Sequence, residues 1–203
     1  MKVTQLLGSL AALLLCLACG DNRIEKGPIK RSGQADVVSL DDDWRFIRYG
    51  LQADGTRVDE PAGMFEPATD DSDWETLDVP HDFAIKGPFR MDLAGNTGRL
   101  PFQGIGWHRK NFTVDEADQG KRFYVDFDGV MANAQVWLNG EYVGTWPYGY
   151  NSFRLDLTPF IQVGKENLLA VRTDTEKWDS RWYPGAGIYR HVWLVKTGQV
   201  HDD

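Results

Sequence analysis

Arg122-Phe123-Tyr124-Val125-Asp126-Phe127-Asp128, followed by Ala134-Gln135-Val136-Trp137-Leu138-Asn139-Gly140-Glu141-Tyr142-Val143-Gly144, is the stretch that decides the fold. In both runs every second side chain is apolar, which is the period of a strand with one face buried. The two runs are expected to pair. Asn-Gly suits the two positive-φ positions of a tight hairpin turn, so Asn139-Gly140 predicts a hairpin between Val136–Leu138 and Glu141–Gly144. Outward from this centre, further strands are predicted over Trp44–Ile47, Ile105–Phe112, Ser152–Asp156, Asn167–Arg172 and Tyr189–Val195. Leu157–Ile161 predicts a single helical turn closing one end, with Gly164 ending it. Many short strands separated by turn signals, with little helical periodicity, predict an all-β, two-sheet antiparallel sandwich. Eight Trp, seven Tyr and ten Phe suit the half-buried surface of pleated sheets.

The N-terminus has a different character. Lys2 precedes an apolar stretch from Leu6 to Leu17, too short to span a bilayer, and Ala18-Cys19-Gly20 follows. This pattern predicts a lipoprotein signal peptide over residues 1–18, cut before Cys19, although Cys16-Leu17 departs from the usual lipobox. Ordinary secretory cleavage and a retained anchor helix are the rival readings. Acyl chains on Cys19 would hold the protein to a bacterial membrane, with residues 19–37 as lipidated cysteine and flexible tether and residues 38–203 as one folded domain. The expected location is therefore outside the cytoplasm, in the periplasm or on the cell surface. Both cysteines lie in the leader region, so no disulfide is expected within the domain.

Loss of Lys2 with the leader takes the formal charge from −8 to −9. An acidic surface argues against nucleic acid and anionic lipid headgroups as partners, since both select for cations. His81, His108, His191 and His201 have no ligand spacing and no cysteine to join them, so no metal site and no cofactor are expected.

Two loops carry chemistry. From Pro80 to Gly104 the strand signal lapses, and a loop of that length in a compact domain draws attention to His81-Asp82. No Ser or Cys nucleophile accompanies that pair, and catalysis by it is not expected. The second loop is Ser180-Arg181-Trp182-Tyr183-Pro184-Gly185-Ala186-Gly187-Ile188-Tyr189-Arg190. Aromatic faces stack on pyranose C–H faces, guanidinium groups donate to hydroxyls, and glycine admits close backbone approach. The loop points to carbohydrate. Arg181 is the candidate hydroxyl contact, Trp182 is either a stacking surface or a core residue beneath the loop, and Asp82 and His81 are weaker candidates for the same rim. Tyr189 and Arg190 are read as pins that hold the loop. The aromatic cluster Trp146-Pro147-Tyr148-Gly149-Tyr150 is read first as packing and second as an independent sugar platform.

Several segments together resemble the N-terminal sugar-binding domain of glycoside hydrolase family 2. They are Trp74–Phe83, Gly106–Phe112, Phe127–Gly140, Gly144–Tyr150, Lys165–Arg172 and the Ser180–Arg190 loop, and their order and spacing carry the likeness from about Val38 to Thr197. The β-galactosidase branch is the most similar. The resemblance implies a jelly-roll, galactose-binding-like sandwich, a carbohydrate ligand of β-galactoside type, and pairing with an immunoglobulin-like domain and a catalytic TIM barrel. Retaining glycosidases use two carboxyl groups about 5 Å apart. The family places its acid/base in an Asn-Glu dipeptide on the barrel, and no such dipeptide occurs here, so no catalytic residue is assigned and the chain alone is expected to hydrolyse nothing. In related β-glucuronidases and some β-galactosidases an Asp stands where this chain has Arg181, which replaces an acceptor with a permanent donor. Three readings follow from the resemblance. They are a piece of a larger glycosidase, which is favoured, a free lipid-anchored carbohydrate-binding module, and a structural domain that pairs with a separately encoded barrel.

Overall fold

The computed structural model describes residues 35–52, 54, 56–86, 104–176 and 185–198. Cys19 with the leader and the tether up to residue 34, and Arg181 and Trp182 of the second loop, lie outside the described residues, whereas Asp36 and Val37, expected in the tether, are paired in the first strand. The strands are β1 (Asp36–Ser39), β2 (Trp44–Leu51), β3 (Arg57–Val58), β4 (Glu75–Leu77), β5 (Gly104–Thr113), β6 (Arg122–Phe127), β7 (Ala134–Leu138), β8 (Glu141–Trp146), β9 (Phe153–Asp156), β10 (Glu166–Asp174) and β11 (Val192–Thr197). One sheet has the order β1-β11-β6-β9. The larger has the order β3-β2-β5-β10-β7-β8, with β4 also paired to β2. Every pairing is antiparallel, so the all-β antiparallel sandwich is the observed architecture.

The core lies between the sheets. Phe123, Val125 and Phe127 of β6 and Val192 and Leu194 of β11 face Trp44, Phe112, Leu169, Val171, Val136 and Leu138 of the larger sheet, all buried. The alternation in β6 and β7 arises because each strand gives one face to this shared interior. The expectation that these two strands pair is wrong. β6 pairs with β11 and β9, whereas β7 pairs with β10 and β8. Residues 128–133 carry the chain from one sheet to the other, so two runs with the same period meet face to face across the core. Periodicity identifies a buried face but not the partner strand.

The Asn139-Gly140 hairpin forms as expected, with φ of +55° and +87°, and joins β7 to β8. Leu157–Ile161 makes one helical turn, closed by Ile161 N donating to Leu157 O at 3.0 Å. Gly164, at φ +72°, stands beyond the turn and donates its N–H to Val114 O. β11 begins at Val192, later than its apolar pattern suggests, because the preceding residues belong to the loop that forms the site.

The outer face of the larger sheet is also covered. Residues 59–74 cross it, burying Met64 and Trp74 against Ile105, Trp107 and Ala170, with Phe65 stacked on Trp137 at 5.1 Å. Glu60 fastens the crossing by accepting from Trp107 Nε1 at 2.5 Å and pairing with Arg172 through Nε at 2.7 Å and Nη2 at 2.9 Å. Arg109, only 3% exposed, reaches Asp71 at 3.1 Å and donates to Thr69 O at 3.0 Å.

Candidate functional site

The chain between Pro80 and Lys86 runs alongside the Gly-rich loop that precedes β11. His81 N donates to Ile188 O at 2.7 Å and Phe83 N donates to Ala186 O at 2.9 Å, so two segments a hundred residues apart form a short ladder. On the other side of the loop, Met131 and Gly187 exchange both backbone hydrogen bonds, at 2.9 and 2.7 Å. Gly187 has φ +108°, and a Cβ there would stand 2.7 Å from His81 O, so no other residue fits between the flanking segments.

Asp82 lies on the exposed side of this ladder. Its Oδ1 accepts from Ala84 N and from Ala186 N, each at 2.9 Å, and a Cβ on Gly185 would lie 2.8 Å from its Oδ2. Burial raises the Asp82 pKa, while the N–H groups of Ala186, Ala84 and Ile85 favour the carboxylate. Such a carboxylate, fixed in orientation and half-buried at a rim, accepts hydrogen bonds from hydroxyl groups.

His81 turns the other way. Its imidazole is 9% exposed, with Nδ1 3.4 Å from Nε2 of the fully buried His108, and its ring meets the edge of Phe46 at 4.6 Å. Burial lowers the His81 pKa to about 4, with a smaller contribution from Lys86, and lowers that of His108 well below the ordinary value. Both imidazoles are neutral at pH 7. The side chains of His81 and Asp82 therefore diverge, one into the core and one to the rim, and the pair does not form a dyad.

Tyr189 and Arg190 hold the far side of the loop. The Tyr189 hydroxyl donates to Gly149 O at 2.7 Å, and the Arg190 guanidinium lies 5.3 Å from the Tyr189 ring centroid and reaches Asp128 O at 3.5 Å. The sequence reading missed Asp41, which is 6% exposed. Its Oδ1 accepts from Val192 N at 2.9 Å and its Oδ2 lies 2.8 Å from His191 Nδ1, tying the first turn of the domain to the point where the loop enters β11. In the sequence Asp41 belongs to an acidic triplet, Asp41-Asp42-Asp43, that looks like solvated surface. No group of three or more His, Cys, Asp or Glu side chains able to hold a metal ion occurs among the described residues.

The fold is a two-sheet antiparallel sandwich, and the candidate site is a half-buried carboxylate held against a glycine-rich loop. The family model described as "Glycosyl hydrolases family 2, sugar binding domain" matches residues 37–198, and the chain belongs to that family. It is 49% identical over 163 residues to the beta-galactosidase BoGH2A of Bacteroides ovatus, a match covering 78% of this chain and 18% of that protein. It is 32% identical over 175 residues to a beta-galactosidase of Thermoanaerobacter pseudethanolicus, covering 82% of this chain and 21% of the relative. Among solved structures, a glycosyl hydrolase family 2 member from Bacteroides cellulosilyticus superimposes with a TM-score of 0.71 at 38% identity, covering 80% of this chain and 20% of that one. A family 2 beta-glucuronidase superimposes with a TM-score of 0.70 at 28% identity, covering 84% and 18%. The chain thus spans about a fifth of the length of the curated relatives it matches.

Proposed function

We propose that this domain supplies the sugar-holding rim of a family 2 glycosidase acting on β-galactosides, with bond cleavage assigned to a partner barrel. The observation that carries this reading is the ladder from His81–Phe83 to Ala186–Ile188, which places the Asp82 carboxylate beside the backbone of the loop that also contains Arg181 and Trp182. Asp82 accepts from hydroxyls, Arg181 donates to them, Trp182 offers a stacking face, and His81 supports the rim from beneath. The two carboxyl groups that a retaining mechanism requires belong to the barrel. The 49% identity to a beta-galactosidase supports the choice of sugar, and the 46% identity to a putative beta-glucuronidase of Formosa agariphila makes β-glucuronides the alternative.

The purified chain tests this on chromogenic β-galactoside, β-glucuronide and β-mannoside, with calorimetric titration of methyl β-galactoside on the same sample. The expected result is no turnover and weak galactoside binding that Asp82→Ala or Arg181→Ala abolishes. Turnover that survives repurification and disappears on mutation of a carboxylate would overturn the assignment.

We also propose that residues 1–18 are removed and that Cys19 carries the lipid that anchors an exported protein, with the chain from Cys19 to the start of β1 at Asp36 as tether. The apolar stretch ending at Ala18-Cys19 supports this. Metabolic labelling with palmitate should mark the wild-type chain and not Cys19→Ser; an unlabelled wild type would sink the idea.

A further inference from the structure

The aromatic cluster after the Asn-Gly hairpin divides into two parts with opposite surroundings. Trp146 belongs to the core: its ring stacks on Phe153 at 5.5 Å with 13° between planes, and its Nε1 donates to Asn151 Oδ1 at 2.9 Å. Tyr148 is 58% exposed, two residues further on. Its ring centroid is 5.4 Å from that of Tyr150, with 59° between the planes, so the two rings form an open angle. A single exposed aromatic side chain is ordinary on a protein surface. Two features set this pair apart.

The first is that its backbone is held. Pro147 O accepts from Asn133 N at 3.2 Å, and Gly149 O accepts from the Tyr189 hydroxyl at 2.7 Å, so the residues on both sides of Tyr148 are tied to other segments. A ring on a fixed backbone loses little freedom on binding, which is the condition for a stacking platform. The second is its position. Tyr189 adjoins the Gly185–Ile188 loop, and Met131 joins Gly187 while Asn133 joins Pro147, so the tyrosine pair is tied to the flank of that loop opposite the segment that carries Asp82. The Tyr189 hydroxyl bonds the carbonyl of Gly149, the residue between Tyr148 and Tyr150, which brings the third phenol beside the pair. The platform therefore combines an exposed ring face with hydroxyls at its margin, a combination that suits a galactopyranose ring, whose axial 4-hydroxyl leaves one face of C–H groups free to stack.

We propose that Tyr148, backed by Tyr150, is a second carbohydrate subsite that stacks on an inner pyranose of a β-linked oligosaccharide whose terminal sugar lies at the Asp82 rim. The proposal rests on the reading of that rim as sugar-facing. It makes the domain selective for chain length as well as for the terminal residue.

Calorimetric titration of the full chain with methyl β-galactoside and with a β-linked galactotetraose tests it. Wild-type protein should bind the tetraose about tenfold more tightly than the monosaccharide, the size of one aromatic stack. Tyr148→Ala should bring the tetraose down to the monosaccharide level and leave methyl β-galactoside unaffected, and Tyr148→Phe, which keeps the ring, should restore the preference. Equal affinity of the wild type for both probes, or a Tyr148→Ala protein that keeps the preference, would overturn the subsite and leave the rim assignment standing. Binding of neither probe would overturn both.

Discussion

Asn139 and Asn167 meet at 2.9 Å, and what the two contribute differs in kind. The turn chemistry of Asn139-Gly140 is local and therefore legible from two letters. The side-chain work is not: Asn139 Oδ1 accepts from Leu168 N, its Nδ2 donates to Phe160 O, and the fully buried Asn167 bonds both Gln162 N and Gln162 O. Three of the Asn167 bonds close the local turn back to Gln162 and Lys165, and the contact that the chain order does not signal is the one with Asn139, which arrives by tertiary packing. The same holds for Gly187. As one of two glycines in a Pro-Gly-Ala-Gly run it looks like any turn residue, whereas its φ of +108° and the carbonyl of His81 above it make it the hinge of the rim. Gly187→Ala should lower stability by about 3 kcal/mol, from unfavourable φ plus the backbone clash. That corresponds to a loss of roughly 10 °C in Tm for a domain of this size. Thermal unfolding followed by circular dichroism checks it; an unchanged Tm would mean that the loop is not held as described.

At the scale of elements, β5 shows why periodicity alone misleads. Its first six residues are all buried, so it lacks the alternation of a strand with a wet face. The cause is the 59–74 crossing, which gives the larger sheet a second covered face and turns Trp107 and Arg109 into interior residues. Sequence reading found the strand and could not find its cover, since the crossing lacks strand or helix periodicity of its own. β6 and β7 show the complementary limit, with correct periods and incorrect pairing. The Glu60–Arg172 contact is what ties the crossing down, with Arg172 17% and Glu60 21% exposed. Glu60→Ala removes three charge-assisted or indole hydrogen bonds and should cost about 2 kcal/mol. Limited proteolysis should also cut within residues 59–74 faster than in the wild type. Equal cutting rates would show that apolar packing of Met64 and Trp74 suffices.

At the scale of the whole molecule, the two buried imidazoles set the response to acid. His81 takes up a proton near pH 6.5 when unfolded and only at about 4 when folded, because burial disfavours its charged form. Its contribution to stability is complete above about pH 6.5 and is lost as pH falls toward 4, amounting to roughly 3 kcal/mol. His108 adds to the loss in the same direction. Tm should therefore fall steeply between pH 6.5 and 4, and His108→Leu should flatten that slope by about one proton; a Tm independent of pH across this window would refute the buried-pair account. From the amino-acid order alone came the all-β class, the turn at Asn139-Gly140 and the family, because period, turn chemistry and motif order are properties of the chain itself. The candidate loops were also visible there, as a lapse of strand signal around His81-Asp82 and a glycine-rich run before β11. Only the folded molecule decided which sheet each strand joins, that His81 turns inward while Asp82 stays at the rim, and that Tyr148 stands in the open on the opposite flank of the glycine-rich loop. Those outcomes depend on which surfaces bury one another, and burial is a relation between residues distant in sequence.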